Sequence, residues 1–196
     1  MPRIIWEGNR DGDRDTPDAP VPENAKRLDR PDDIVNASLS YMILPCAACF
    51  LAVFVKSRAV GAFPFDLRFA PLAFLVGFIV ALPLHELLHG LCYPDSAEVY
   101  IGVCLRRLQA YAVSACPLTR GRFIAMSLAP AAPGLAALAL FLACPAAWRP
   151  LMTVCVVPAF MGLLSPAPDY MDIALVLRQT PRGAVIQASG DGLFWY

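Results

Sequence analysis

Apolar residues fall in four long blocks along the chain, and most charges lie outside them. The blocks cover about residues 37–55, 69–93, 123–147 and 151–177. A helix rises about 1.5 Å per residue, so roughly 20 apolar residues reach across a hydrocarbon core. Each block meets or nearly meets that length. The pattern predicts a mainly α, integral membrane fold with about four transmembrane helices. Prolines punctuate the last two blocks: Pro130 and Pro133 in the third, Pro158, Pro166 and Pro168 in the fourth. Proline lacks a backbone donor and its ring clashes with the preceding turn, so these helices should kink or break. Irregular backbone at membrane depth persists only where protein or a watery cavity covers it. Broken spans suit a buried site.

The polar stretches differ in texture. Between the second and third blocks, Val99 to Leu105 and Leu108 to Ser114 are rich in β-branched and aromatic residues. Arg106 and Arg107 separate them, which predicts a β-hairpin between helices two and three with a charged tip. The last residues, 184–196, also look strand-like or interfacial and end in Phe194, Trp195 and Tyr196. Residues 1–35 hold almost half of the charged residues, with several prolines and few large apolar side chains. That composition predicts a disordered polar leader, followed by a membrane-embedded domain over 36–196.

Composition agrees with a lipid environment. Hydrophobic residues make up 58% of the chain and charged residues 16%, and the mean hydropathy is +0.55. An ordinary soluble domain is far more polar. Net charge is zero, which supplies no basic field for nucleic acid. The lipid bilayer is the implied partner. Nine lysines and arginines flank one set of span ends and four the other, with Arg106, Arg107, Arg120 and Arg122 in the richer set. The positive-inside bias then places both termini in the cytoplasm of a bacterial cell, around a multi-pass protein of its cytoplasmic membrane. Of seven cysteines, Cys46 and Cys49 form a C-x-x-C within the first block. Without βαβ surroundings they read as small buried hydrophobes.

One pentapeptide changes the picture. His85-Glu86-Leu87-Leu88-His89 is an H-E-x-x-H motif inside the second block, and it contains both histidines of the chain. Residues at i and i+4 share a helix face, so the two rings can aim nitrogen lone pairs at one metal ion. Glu86 then stands beside the metal as a general base for water. Ionisable groups at membrane depth are costly and usually functional. A catalytic zinc site needs a third protein ligand and one open position. Outside the motif, the acidic residues within the blocks are Asp169 and Asp172. Counted from the cytoplasmic span ends, Asp172 lies within about 3 Å of the depth of His85, which favours it. Cys92, three residues after His89, is a weaker candidate.

These residues resemble the bacterial membrane proteins of the domain-of-unknown-function 3267 family, described as zincin peptidases and related in plan to the site-2 intramembrane metalloproteases. The resemblance covers roughly residues 36–196. It rests on His85-Glu86-Leu87-Leu88-His89-Gly90, on Pro117-Leu118-Thr119-Arg120 after the hairpin, on Leu128-Ala129-Pro130, and on Asp172-Ile173. It implies one zinc ion held by His85, His89 and Asp172, with Glu86 catalytic and Asp169 outside the site. Met171 stands where the family usually has glycine, and Ser165-Pro166-Ala167-Pro168 replaces a more glycine-rich turn.

The expected activity is hydrolysis of a peptide or membrane-protein substrate by zinc-activated water. A non-catalytic zinc scaffold is the main alternative. A transporter is disfavoured, because no internal repeat occurs.

Overall fold

The computed structural model describes residues 1–9, 16–61, 63–104, 106, 109–190 and 192–196. The chain opens with β1 (Arg3–Asn9) and β2 (Lys26–Arg27), then α1 (Ile34–Ser38), α2 (Ile43–Val60), α3 (Ala70–Ile79) and α4 (His85–Leu91). It continues through β3 (Glu98–Cys104), β4 (Gln109–Val113), β5 (Leu118–Thr119), α5 (Arg120–Leu128) and α6 (Ala131–Ala143). The last elements are α7 (Arg149–Leu164), α8 (Ala167–Gln179), β6 (Val185–Ser189) and β7 (Gly192–Trp195). Three helical runs among the described residues are long and apolar enough to cross a membrane: Ile34–Val60, Leu67–Leu91 and Arg149–Gln179. The third predicted span is instead two helices, α5 and α6, broken at Ala129 and Pro130. The fourth, despite three prolines, still counts as one run. Its interruption is confined to Ser165 and Pro166, between α7 and α8.

Two compact units share the chain. One comprises residues 35–85 and 130–168 and is purely helical in its regular structure. Leu44, Phe54 and Phe74 are among many large apolar side chains left more than half exposed on α2 and α3. An apolar surface of that extent marks a face that contacts lipid or another protein. Within the unit, helices meet through small residues. A Cβ added to Gly134 on α6 would lie 2.7 Å from the backbone carbon of Gly162 on α7. Gly77 on α3 is packed as closely against Met161 and Val157.

The first apolar block stops at residue 55, yet α2 runs on to Val60 with Lys56 buried. Its ammonium donates to the carbonyl of Leu142 at 2.8 Å, and also to that of Cys144. Those carbonyls close the last turn of α6, where a cation offsets both the orphan acceptors and the helix dipole. The charge therefore ties two helices together.

Pro83 shapes the approach to the motif. It offers no N–H to the carbonyl of Ile79, and residues Val80–Leu84 widen into a π-helical turn before the α-helix resumes at His85. The motif thus begins on a fresh helical register.

The other unit comprises residues 1–34, 86–129 and 169–196. It holds two small sheets. In the first, of order β1-β3-β4, β1 runs parallel to β3 and β4 pairs antiparallel with Tyr100 opposite Val113. Arg107, at the expected hairpin tip, lies outside the described residues. In the second sheet, of order β2-β7-β6-β5, all pairs are antiparallel. Val99 and Ile101 alternate into a core with Leu118, Phe123, Met126, Val176 and Ile186. Helix α4 lies flush on β3, since a Cβ at Gly90 would come 3.1 Å from Cδ1 of Ile101. That seating positions His89, one residue earlier.

The leader expectation requires correction. Arg3–Asn9 is a strand hydrogen-bonded to β3, Lys26–Arg27 pairs with β7, and Leu28 is buried in the core. High net polarity masked a short β-favouring run, Ile4-Ile5-Trp6, whose backbone groups are satisfied by β3. Composition averaged over 35 residues cannot register a single edge pairing.

Candidate metal centre

Helix α4 carries both histidines one turn apart, and both rings are buried. The Nδ1 atom of His89 lies 3.1 Å from the carbonyl oxygen of Met126 on α5. A carbonyl can only accept, so the ring hydrogen in this contact resides on Nδ1. The other ring nitrogen, Nε2, points the opposite way. There Nε2 stands 3.3 Å from Oδ1 of Asp169, in the first turn of α8. Two acceptors at this distance repel unless a cation lies between them, either a proton or a metal ion.

His85 makes the metal the better match. Donor atoms of His85, His89 and Asp169 all lie within 4.8 Å of one another. Around a tetrahedral zinc with bonds of about 2.0–2.1 Å, donors sit about 3.4 Å apart. The His89–Asp169 separation, 3.3 Å, already matches that value. Two imidazoles and one carboxylate form the donor set of an open catalytic site. The residues fit zinc. His85 Nδ1 also has the hydroxyl of Ser165 at 3.4 Å, a loose contact that orients the ring. Glu86 follows His85 on α4 and is partly exposed, turned about 100° around the helix from it. It is not among the grouped donors.

Asp172, the residue expected as third ligand, is engaged elsewhere. Arg30 clamps it with two parallel bonds, Nε to Oδ1 at 3.0 Å and Nη2 to Oδ2 at 3.0 Å. The side chains of both partners are mostly buried, and the fork geometry uses both carboxylate oxygens. The aspartate that joins the histidines is Asp169, one turn earlier on α8. Asp169 and Asp172 differ in depth by about 4.5 Å, too little for span counting to separate them. The deciding partner, Arg30, comes from the segment expected to be disordered. Cys92, the weaker candidate, is not in the group either, and its carbonyl accepts from Arg122 Nε at 2.7 Å.

A further participant was legible in principle. Pro166 and Pro168 mark the start of α8, where a carboxylate in the first turn is stabilised by the helix dipole. Asp169 immediately follows them. That local signal marks Asp169 as a first-turn carboxylate, and its pairing with the histidines is a long-range contact.

An H-E-x-x-H helix with a distal carboxylate defines a zincin-type arrangement. Residues 78–185, which include every residue of this arrangement, match the family model DUF3267, described as "Putative zincin peptidase". The chain belongs to that family. No curated protein and no solved structure matches it.

Proposed function

We propose that the chain is a membrane-bound zinc metallopeptidase, similar in plan to the site-2 intramembrane proteases. The observation that carries this reading is Nε2 of His89 standing 3.3 Å from Oδ1 of Asp169, with His85 one helical turn away. Zinc in such a site supplies Lewis acidity, lowering the pKa of water and polarising a carbonyl. His85, His89 and Asp169 hold the ion. Glu86 accepts the proton of the attacking water as the new C–O bond forms, then delivers it to the amine as the C–N bond breaks. The substrate is a peptide bond of a membrane protein or peptide, locally extended, because a helical peptide bond is shielded from attack.

Protein purified in mild detergent should carry one zinc per chain. A zinc chelator should remove both the metal and cleavage of model transmembrane peptides, and added zinc should restore both. Metal-free protein that still cleaves would reject the proposal. Stoichiometric zinc with no cleavage of any peptide would favour the scaffold reading.

Orientation follows from the basic residues, with both termini in the cytoplasm. In a background lacking native cysteines, a cysteine at Gly61 or Arg149 should label from outside intact cells, and one at Arg182 should not. Labelling at Arg182 would invert the assignment.

A further inference from the structure

A cleft of about 610 Å³ opens in the helical unit, where the turn leading into α3 meets the first turn of α7. Phe63, Asp66, Leu67, Arg68 and Arg149 are among the residues that line it. A cleft of that size accepts a small polar group together with part of the molecule that carries it. Buried Thr153 fixes the two walls to each other. Its hydroxyl accepts the Asp66 N–H at 2.8 Å and donates to the Arg149 carbonyl at 2.9 Å.

The charges in the cleft do not balance. Residues 61–69 and 144–149, the two connections that form it, hold two arginines and one acid. That acid, Asp66, is engaged by Arg68, through Nε to Oδ1 at 2.9 Å and Nη2 to Oδ2 at 2.6 Å. Those bonds use two of the five N–H donors of the guanidinium. Among the described residues, no carboxylate lies at ion-pair distance from Arg149. Arg149 is also the first residue of α7, whose first turn contains no acid. The positive end of a helix dipole disfavours a cation and favours an anion. One anion in the cleft would relieve both mismatches.

The rim indicates what carries that anion. Phe63, Leu67 and Trp148 are more than half exposed, beside the starts of the membrane-length runs Leu67–Leu91 and Arg149–Gln179. Exposed aromatic and apolar side chains at span ends sit at the depth of lipid headgroups.

We propose that this cleft binds the phosphate of an anionic phospholipid, held by Arg68 and Arg149, with the lipid's glycerol and acyl chains against the apolar rim. The assignment rests on the membrane reading and needs neither zinc nor peptide cleavage.

The test is a titration of delipidated protein in a maltoside detergent with dioleoylphosphatidylglycerol, followed by native mass spectrometry. Wild type should show one saturable site per chain. Arg149→Gln should weaken it about 10-fold or more, the effect of losing charge-assisted bonds to phosphate. Arg149→Lys should fall between the two, because it keeps the charge without the planar fork. Arg58→Gln is the control. It removes the same charge from the last turn of α2, outside the cleft lining, and should change binding less than about two-fold.

Equal weakening by Arg58→Gln would mean diffuse attraction to this end of the helices and would overturn the proposal. So would dioleoylglycerol, which lacks phosphate, binding as tightly as the phospholipid. Inorganic phosphate binding as tightly as the lipid would assign the cleft to a soluble anion and overturn the lipid assignment. Should Arg149→Gln not fold, Arg149→Lys decides: weakened binding supports the site and unchanged binding overturns it. A lipid site in protein without zinc or cleavage would reject the peptidase alone, and an active zinc protein without the site would reject this inference alone.

Discussion

Asp169→Ala should leave the purified protein essentially without zinc, whereas Asp172→Asn should keep it. The two residues stand one turn apart on α8, carry the same charge and differ in what faces them. Asp169 faces Nε2 of His89 at 3.3 Å, and its removal deletes one of three donors. Losing a residue that merely orients a ligand costs about 10–100-fold in metal affinity, so losing a ligand should cost at least about 10²-fold. Asp172 has both oxygens engaged by Arg30 and is not among the grouped donors. Asparagine there keeps one acceptor but breaks the charge-assisted fork. It leaves a mostly buried guanidinium short of a partner, at a cost of about 1–3 kcal/mol in stability. The signature is therefore a lower melting temperature with full zinc for Asp172→Asn. For Asp169→Ala it is lost zinc with a near-normal melting temperature of the metal-free form. Atomic-absorption zinc content and thermal unfolding of chelated protein separate the two. Zinc retained by Asp169→Ala and lost by Asp172→Asn would reverse the assignment and restore the ligand set implied by the family resemblance.

That reversal shows where sequence information stops. The two histidines were legible as a pair because a helix converts i and i+4 into one face without help from the rest of the chain. The helical runs were legible for a similar reason, since hydropathy over 20 residues is local. The third donor is a long-range fact. Its identity depends on which aspartate Arg30 captures, and Arg30 sits 142 positions from Asp172. A leader judged by composition hides that competitor, just as it hides the pairing of β1 with β3. Met126 is the subtler case. Its side chain is an ordinary core methionine, and its role lies in a backbone carbonyl that no residue-type motif can flag.

Glu86→Gln should yield folded, zinc-loaded protein with turnover reduced at least about 10²-fold, the usual contribution of a positioned general base. Glutamine preserves the size of glutamate and one carbonyl acceptor but cannot take a proton at neutral pH. Glu86 is not among the grouped donors, and its direction on α4 departs by about 100° from that of His85. Zinc content should therefore stay near one per chain. Glu86 is only partly buried, so the loss of its charge should not unfold the unit that contains it. A loaded but inactive site should also hold its substrate for longer, which makes this variant the bait for crosslinking the natural substrate in membranes. Three measurements on one preparation decide the matter: zinc content, thermal unfolding, and cleavage of a transmembrane peptide. Cleavage at the wild-type rate would remove Glu86 from the mechanism. Loss of zinc or of folding would make it a structural acid, and the proton transfer proposed for water would need another carrier.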